Sequence, residues 1–187
     1  MDDTQRRALL KLVRDLIEAE LAGRPRTPRP SISVEAKNFG GAFVTLRKAG
    51  RLRGCMGRFQ PDQDLVATIQ EVALSALDDP RFQDRPVTLD ELPAIDIEIS
   101  VLSALERTDN PLSLQPGVHG VYLRQGYRAG CFLPQVATEQ GWGREEFLSR
   151  CCSGKAGLPA NAWKDPQTEV HLFTAEVFGE KEISTNE

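Results

Sequence analysis

The sequence lacks the patterns that mark several broad classes of protein. Its four cysteines form no C-x-x-C pair and its two histidines, His119 and His171, have no zinc-ligand spacing, so we expect no metal bound by these side chains. No apolar run approaches the roughly 20 residues of a membrane span. The first residues lack the charged-then-apolar order of a signal peptide. These absences predict a cytoplasmic protein with no membrane partner.

An excess of positive charge is also missing. The formal net charge is −4 at pH 7, whereas nucleic-acid binding depends on cations that neutralise phosphates. We therefore expect no nucleic-acid partner. With 187 residues, the chain is long enough for one domain or for two small subdomains with real cores.

Apolar periodicity predicts helices that alternate with β-hairpins. The predicted elements are helices over 4–23, 61–78, 134–141 and 144–152, hairpins over 41–55 and 121–133, and strands over 95–101 and 170–178. Such an order predicts an α+β fold with a mainly antiparallel sheet and flanking helices. The alternating arginines and prolines of 24–30 predict an exposed, extended connector.

The segment Leu52-Arg53-Gly54-Cys55-Met56-Gly57 has the most distinctive chemistry. Strand alternation places Arg53 and Cys55 on one face, where a guanidinium favours the thiolate. Gly54 and Gly57 allow a close approach by a ligand or by another backbone. The simpler interpretation is a small buried cysteine in a tight turn, with Arg53 in solvent.

Three further residues are candidates for the same site. Glu98 lies on the polar face of the strand over 95–101, His119 lies between Gly117 and Gly120, and Lys155 follows a predicted helix end at Gly154. We predict that Arg53, Cys55, Glu98, His119 and Lys155 converge on one partly open cleft, because binding loops are usually mounted at strand ends. The alternative is five unrelated solvent-exposed or capping residues.

Seven segments in order resemble the AMMECR domain family, whose prokaryotic members are called protein A of the AmmeMemoRadiSam system. The segments are GAFVTL (41–46), LRGCMG (52–57), DPRF (79–82), DIEISVLS (96–103), GVHGVYL (117–123), FLPQVA (132–137) and EFLSRCCSGKAGLP (146–159). They cover nearly the whole chain. The family more often has Ile at position 56, and a basic or apolar residue is commoner before Lys155.

The resemblance implies that 1–187 is a single AMMECR domain with a larger and a smaller subdomain and that LRGC lies near the cleft between them. It implies an association with Memo-like proteins, which have a dioxygenase-like fold, and with radical-SAM proteins. It implies no reaction and no cofactor.

Two kinds of function are compatible with these residues. In the first, the chain is a binding or accessory component in which Arg53, Lys155 and the glycine-flanked loops (Gly54, Gly57, Gly120) hold a small anionic ligand or a partner. In the second, it is an enzyme with Cys55 as nucleophile, His119 as base and Glu98 as an orienting carboxylate. A purely structural role for all of these residues is the remaining interpretation.

Overall fold

The structure, a computed structural model, describes residues 1–25 and 39–181. The chain forms two compact units, a larger unit 1 (residues up to Val101, and again from Glu176) and a smaller unit 2 (Leu102–Ala175). The single-domain assignment of 1–187 stays a prediction. Most of the connector predicted over 24–30 lies outside the described residues.

The main elements of the described ranges are four α-helices and eight β-strands, joined by short 3-10 and π-helical turns. The helices are α1 (Asp3–Leu21), α2 (Leu65–Leu77), α3 (Pro134–Gln140) and α4 (Arg144–Cys151). The strands are β1 (Phe39–Lys48), β2 (Arg51–Phe59), β3 (Ile95–Ser103), β4 (Glu106–Arg107), β5 (Gly120–Gln125), β6 (Arg128–Phe132), β7 (Glu169–Phe173) and β8 (Ala175–Gly179). They form two four-stranded sheets, ordered β2-β1-β3-β8 and β4-β7-β5-β6. The predicted α+β class is confirmed, and the pairs β1–β2, β4–β7, β5–β6 and β5–β7 are antiparallel.

Helices α1 and α2 cover the first sheet, and their apolar faces form the core of unit 1. Leu9, Val13 and Ile17 of α1 are fully buried together with Ile69 of α2. The helix predicted from Thr4 begins earlier, at Asp3. Asp2 caps α1 by accepting the N–H of Gln5, whose side chain bonds back to the Asp2 N–H. This reciprocal capping box places the helix cap two residues before Thr4.

The predicted first hairpin is confirmed, because β1 and β2 pair as antiparallel neighbours. Its turn is the two residues Ala49 and Gly50, which both have positive φ, at 48° and 77°. Two successive positive φ values give the primed turn whose twist suits a hairpin. As a result, Thr45 lies opposite Cys55.

In unit 2, helices α3 and α4 contribute to an apolar core of their own, with Phe147, Leu148, Leu123 and Leu114 fully buried. The single strand predicted over 170–178 is wrong. It divides at Thr174 into β7 and β8, which belong to different sheets. At the break, Thr174 accepts the Ser103 N–H at 2.9 Å and donates its own N–H to Ser103 Oγ at 3.0 Å.

None of the helices in the described ranges combines the length and the apolar character needed to cross a membrane. The described residues also contain no group of three or more His, Cys, Asp or Glu side chains placed to hold a metal ion.

Candidate functional site

Cys55 lies on β2, the edge strand of the first sheet. The hydroxyl of Thr45, its cross-strand neighbour, donates to Cys55 Sγ at 3.3 Å. Thr45 is itself buried. A threonine hydroxyl does not titrate near neutral pH and orients the sulfur without acting as a base.

The segment DPRF (79–82) forms hydrogen bonds with the backbone of Cys55 at the open edge of the sheet. The N–H of Cys55 donates to Asp79 Oδ2 at 2.9 Å, and its carbonyl accepts from the Arg81 guanidinium at 3.2 Å. Edge strands otherwise present unpaired N–H and C=O groups that invite pairing with another chain. Asp79 and Arg81 therefore close the edge of the sheet at Cys55.

Asp79 is the centre of this network. Its side chain is 2% exposed and accepts the Arg81 backbone N–H at 3.0 Å, in addition to two bonds from the Arg81 guanidinium. The pKa of Asp79 is lowered to about 2. The main cause is the hydrogen bonding to the Arg81 guanidinium, and the backbone N–H groups of Cys55 and Arg81 contribute further. The carboxylate is therefore charged at every pH at which the protein would function.

Arg53 is not the solvated cation that the simpler interpretation expects. Its guanidinium bonds both oxygens of Glu91, at 2.9 and 2.8 Å, and the two side chains are only 15% and 14% exposed. Lys48 lies 3.2 Å from the same carboxylate. Hydrogen bonding to Arg53 is the main cause that lowers the pKa of Glu91 to about 2.

One aromatic ring connects the two basic residues. The Arg53 and Arg81 guanidiniums lie 5.8 and 5.7 Å from the centroid of Phe82, within cation–π range. Arg81 is 51% exposed, and Phe82 is half-buried. We call Arg53, Arg81 and Phe82 the Arg–Phe–Arg cluster. It places an aromatic ring and an accessible guanidinium beside Cys55.

The two glycines of LRGCMG are required by packing inside unit 1. A Cβ atom at Gly54 would overlap the carbonyl oxygen of Ala76 in α2, and one at Gly57 would overlap the ring of Phe43. The predicted close approach of another backbone is therefore present at Gly54, where the backbone is that of the helix.

Glu98 is on β3, two positions from the buried Ser100. A Cβ atom added at Gly179 of β8 would lie 3.9 Å from the Cβ of Glu98. Strand alternation places Glu98 on the sheet face opposite the buried Ile97 and Ile99. The hydroxyl of Ser100 is buried and has no hydrogen-bond partner among the described residues.

His119 and Lys155 belong to unit 2. His119 Nδ1 accepts the backbone N–H of Gln115 at 3.0 Å. Its ring lines a cavity of about 390 Å³ together with Arg107 and Thr174. Gly120, the next residue, lies against the ring of Phe173, which leaves no room for a Cβ.

Lys155 does not follow a helix cap at Gly154, so that prediction is wrong. It lies inside a π-helical turn, Cys152–Ala156, that ends at Gly157 with φ of 65°. Its ammonium is 5.4 Å from the centroid of the Phe132 ring. The turn presses against β6, where a Cβ at Gly130 would clash with the backbone of Lys155 and Ala156.

A row of cross-strand neighbours crosses the second sheet. Arg107 lies opposite His171, His171 opposite Tyr122, and Tyr122 opposite Cys131. The Nδ1 atom of His171 is buried and without a hydrogen-bond partner among the described residues, and burial lowers the pKa of this histidine. A neutral imidazole is therefore the direct neighbour of Arg107.

The structure thus places Arg53, Cys55 and Glu98 in unit 1 and His119 and Lys155 in unit 2. Their convergence on a single cleft stays a prediction. Sequence reasoning missed the roles of Asp79, Arg81 and Glu91. The DPRF segment was visible as a family match, but nothing local indicates that it bonds the backbone of Cys55.

These features define a two-unit α+β protein in which the segments LRGC and DPRF hydrogen-bond each other. A family model described as AMMECR1 matches residues 10–178. The chain therefore belongs to the AMMECR1 family.

Particular relatives extend this assignment to the whole chain. A protein of Methanothermobacter thermautotrophicus is 42% identical over 93% of both chains. A protein of Pyrococcus furiosus is 42% identical over 92% of this chain and 87% of its own. The crystal structure of an uncharacterised protein from Pyrococcus horikoshii superimposes with a TM-score of 0.87 at 36% identity, covering 97% of this chain and 94% of that one.

Proposed function

We propose that this protein is a binding or accessory component, not a Cys55-dependent enzyme. On this proposal it acts in the cytoplasm with Memo-like and radical-SAM proteins, as protein A of the AmmeMemoRadiSam system, and also holds a small anionic ligand. The Arg–Phe–Arg cluster and the adjoining LRGCMG segment form its protein-binding surface.

The observation that carries the proposal is the bonding of Cys55 by the segment 79–82. Both backbone groups of Cys55 are hydrogen-bonded there, and its sulfur accepts from Thr45. Such bonding holds the surface in one conformation before any partner arrives, which lowers the entropic cost of binding. Arginine and aromatic side chains are also those most enriched where protein interfaces gain their affinity.

The state of His119 supports binding over catalysis. A backbone N–H can only donate, so Nδ1 of His119 is an acceptor and the proton of the neutral ring is on Nε2. The ring nitrogen left for a ligand is then a hydrogen-bond donor. A general base at that position needs a lone pair instead.

Calorimetric titration tests the proposal with the Memo-like and radical-SAM proteins encoded in the same genome. We expect saturable binding to at least one of them. Phe82→Ala should weaken that binding by about tenfold or more, the range of an interface residue worth over 1 kcal/mol.

Arg85→Ala is the matched control for that titration. Arg85 is exposed close to Phe82, and its ion pair is with the equally exposed Asp84, so its removal should leave affinity unchanged. Absence of binding to both proteins would overturn the proposal. Equal weakening by Phe82→Ala and Arg85→Ala would remove the Arg–Phe–Arg cluster from the interface.

A further inference from the structure

The cavity beside His119 in unit 2 has the character of a small-ligand site. Its volume of about 390 Å³ is at the lower end of the range for ligand pockets. It opens between β4, the chain approaching β5, and the break between β7 and β8. All of its lining residues lie within 103–174, so unit 2 supplies the whole site.

Arg107 contributes a cation with no direct carboxylate partner among the described residues, although it acts at longer range on Glu169, whose pKa is lowered mainly by hydrogen bonding to Arg124 and further by Arg107. Its guanidinium makes no hydrogen bond or ion pair within 1–25 and 39–181. The backbone of Arg107 is nevertheless fixed, because β4 pairs with β7 and places Arg107 opposite the neutral His171. A fixed strand that carries an unpaired guanidinium is suited to an external anion.

The hydroxyl groups around the cavity have mostly committed their protons elsewhere. Ser103 donates to the carbonyl of Ala104, and Ser113 and Thr108 donate to that of Asn110. The donors left for a ligand are therefore Arg107, the Nε2–H of His119 and the hydroxyl of Thr174.

The wall also contains one carboxylate, Glu106, so the net charge that faces a ligand is small. The second charge of a phosphate would be attracted by Arg107 and repelled by Glu106 in similar measure, so it brings no net advantage over a singly charged carboxylate. An α-amino acid would gain a further contact, since its ammonium group is complementary to Glu106. Taken together, the two considerations favour a small carboxylate over a phosphate.

We propose that this cavity binds a small carboxylate, held by the guanidinium of Arg107 and the Nε2–H of His119. The inference rests on the proposed function and deepens it by naming the class of the anionic ligand. The carboxylate receives two charge-assisted bonds from the arginine fork and one from the imidazole.

Nitrogen-detected NMR of the full-length protein tests the site, with sodium acetate and glycine as probes and sodium chloride at matched ionic strength as reference. We expect saturable shifts of the His119 ring nitrogens and the Arg107 Nε signal, with dissociation constants on the order of millimolar, as befits so few contacts. Shifts that stay linear, or that chloride reproduces, would overturn the proposal.

Variants identify the donors. Arg107→Gln should weaken acetate binding by about tenfold or more, whereas Arg150→Gln, which changes an exposed arginine of α4, should not. His119→Gln supplies an amide donor near the position of Nε2 and should retain more affinity than His119→Ala. Unchanged affinity in Arg107→Gln would contradict the proposal.

Inorganic phosphate separates the two anion classes. Tighter binding of phosphate than of acetate at pH 7 would show that the ligand class is wrong. This experiment needs no partner protein, so its failure leaves the protein-binding surface in unit 1 untouched. Conversely, loss of partner binding would leave the carboxylate site standing.

Discussion

The carboxylate of Asp79 accepts the backbone N–H of Cys55 at 2.9 Å, across 24 positions of the sequence. This bond joins LRGC and DPRF, two of the seven segments on which the resemblance to the family rests. Because the same carboxylate holds the Arg81 guanidinium, the position of the exposed cation depends on the residue that also fixes the strand edge. A buried aspartate thus positions the polar groups around Cys55.

Replacing that aspartate should destabilise unit 1. We expect Asp79→Asn to lower the free energy of unfolding by about 2 kcal/mol, because a charged acceptor of several hydrogen bonds is lost in a buried position. Asp78→Asn, at the neighbouring and exposed position, is the control and should cost little.

Amide hydrogen exchange at Cys55 measures the effect directly, because the Cys55 N–H is the group that donates to Asp79. Equal protection of the Cys55 amide in the wild type and in Asp79→Asn would contradict the role assigned to the carboxylate.

Acid should weaken unit 1 in a defined range of pH. The folded-state pKa values of Asp79 and Glu91 are about 2, below their ordinary values of 3.8 and 4.5. A carboxylate whose pKa is lowered by folding stabilises the fold at pH values above its ordinary pKa. That stabilisation is lost as the pH falls through the folded-state pKa. We expect about 2 kcal/mol from each group to disappear between about pH 4.5 and about pH 2.

Urea unfolding followed by circular dichroism over this range checks the acid prediction. Asp79→Asn should show a shallower loss, because one of the two titrating groups is gone. A wild-type stability that stays flat down to pH 2 would show that neither carboxylate is held as the structure indicates.

Gly54 should tolerate no side chain. In Gly54→Ala the new methyl group meets the carbonyl of Ala76, so β2 and α2 must separate, at a cost of about 1–3 kcal/mol. Gly154→Ala is the matched control, since a Cβ there has open space and its φ is not positive. Thermal unfolding of the two variants compares them. Equal melting temperatures would show that packing does not require a glycine at position 54, and Gly54 would again be a candidate for contact with a ligand.

Local patterns predicted those features that depend on neighbours in sequence. The alternation in 51–55 predicted the hairpin with 43–46, and Pro134 and Gly141 marked the limits of α3. The division of 170–178 at Thr174 escaped prediction, because apolar alternation continues through a change of sheet. The π-helical turn at Lys155 escaped for a related reason, since it depends on how closely β6 packs at Gly130.

The candidate site was predictable only in part. Strand alternation placed Arg53 and Cys55 together on β2, but the partner of Arg53 is Glu91, which lies 38 positions away. A sequence pattern carries no information on which of many carboxylates meets a given guanidinium. The same limit applies to Asp79. Its segment, DPRF, was recognisable in the sequence, but its contact with Cys55 was not.

The most direct test of the central claim is the affinity of Cys55→Ala for the partner protein that the wild type binds. The variant removes the thiol and leaves the Arg–Phe–Arg cluster and the backbone bonds to Asp79 and Arg81 in place. Measured by calorimetric titration beside Phe82→Ala, Cys55→Ala should bind within about twofold of the wild type, a difference of under 1 kcal/mol, while Phe82→Ala binds far more weakly. Loss of binding in Cys55→Ala with the fold intact, or a turnover that vanishes with the thiol, would contradict the account.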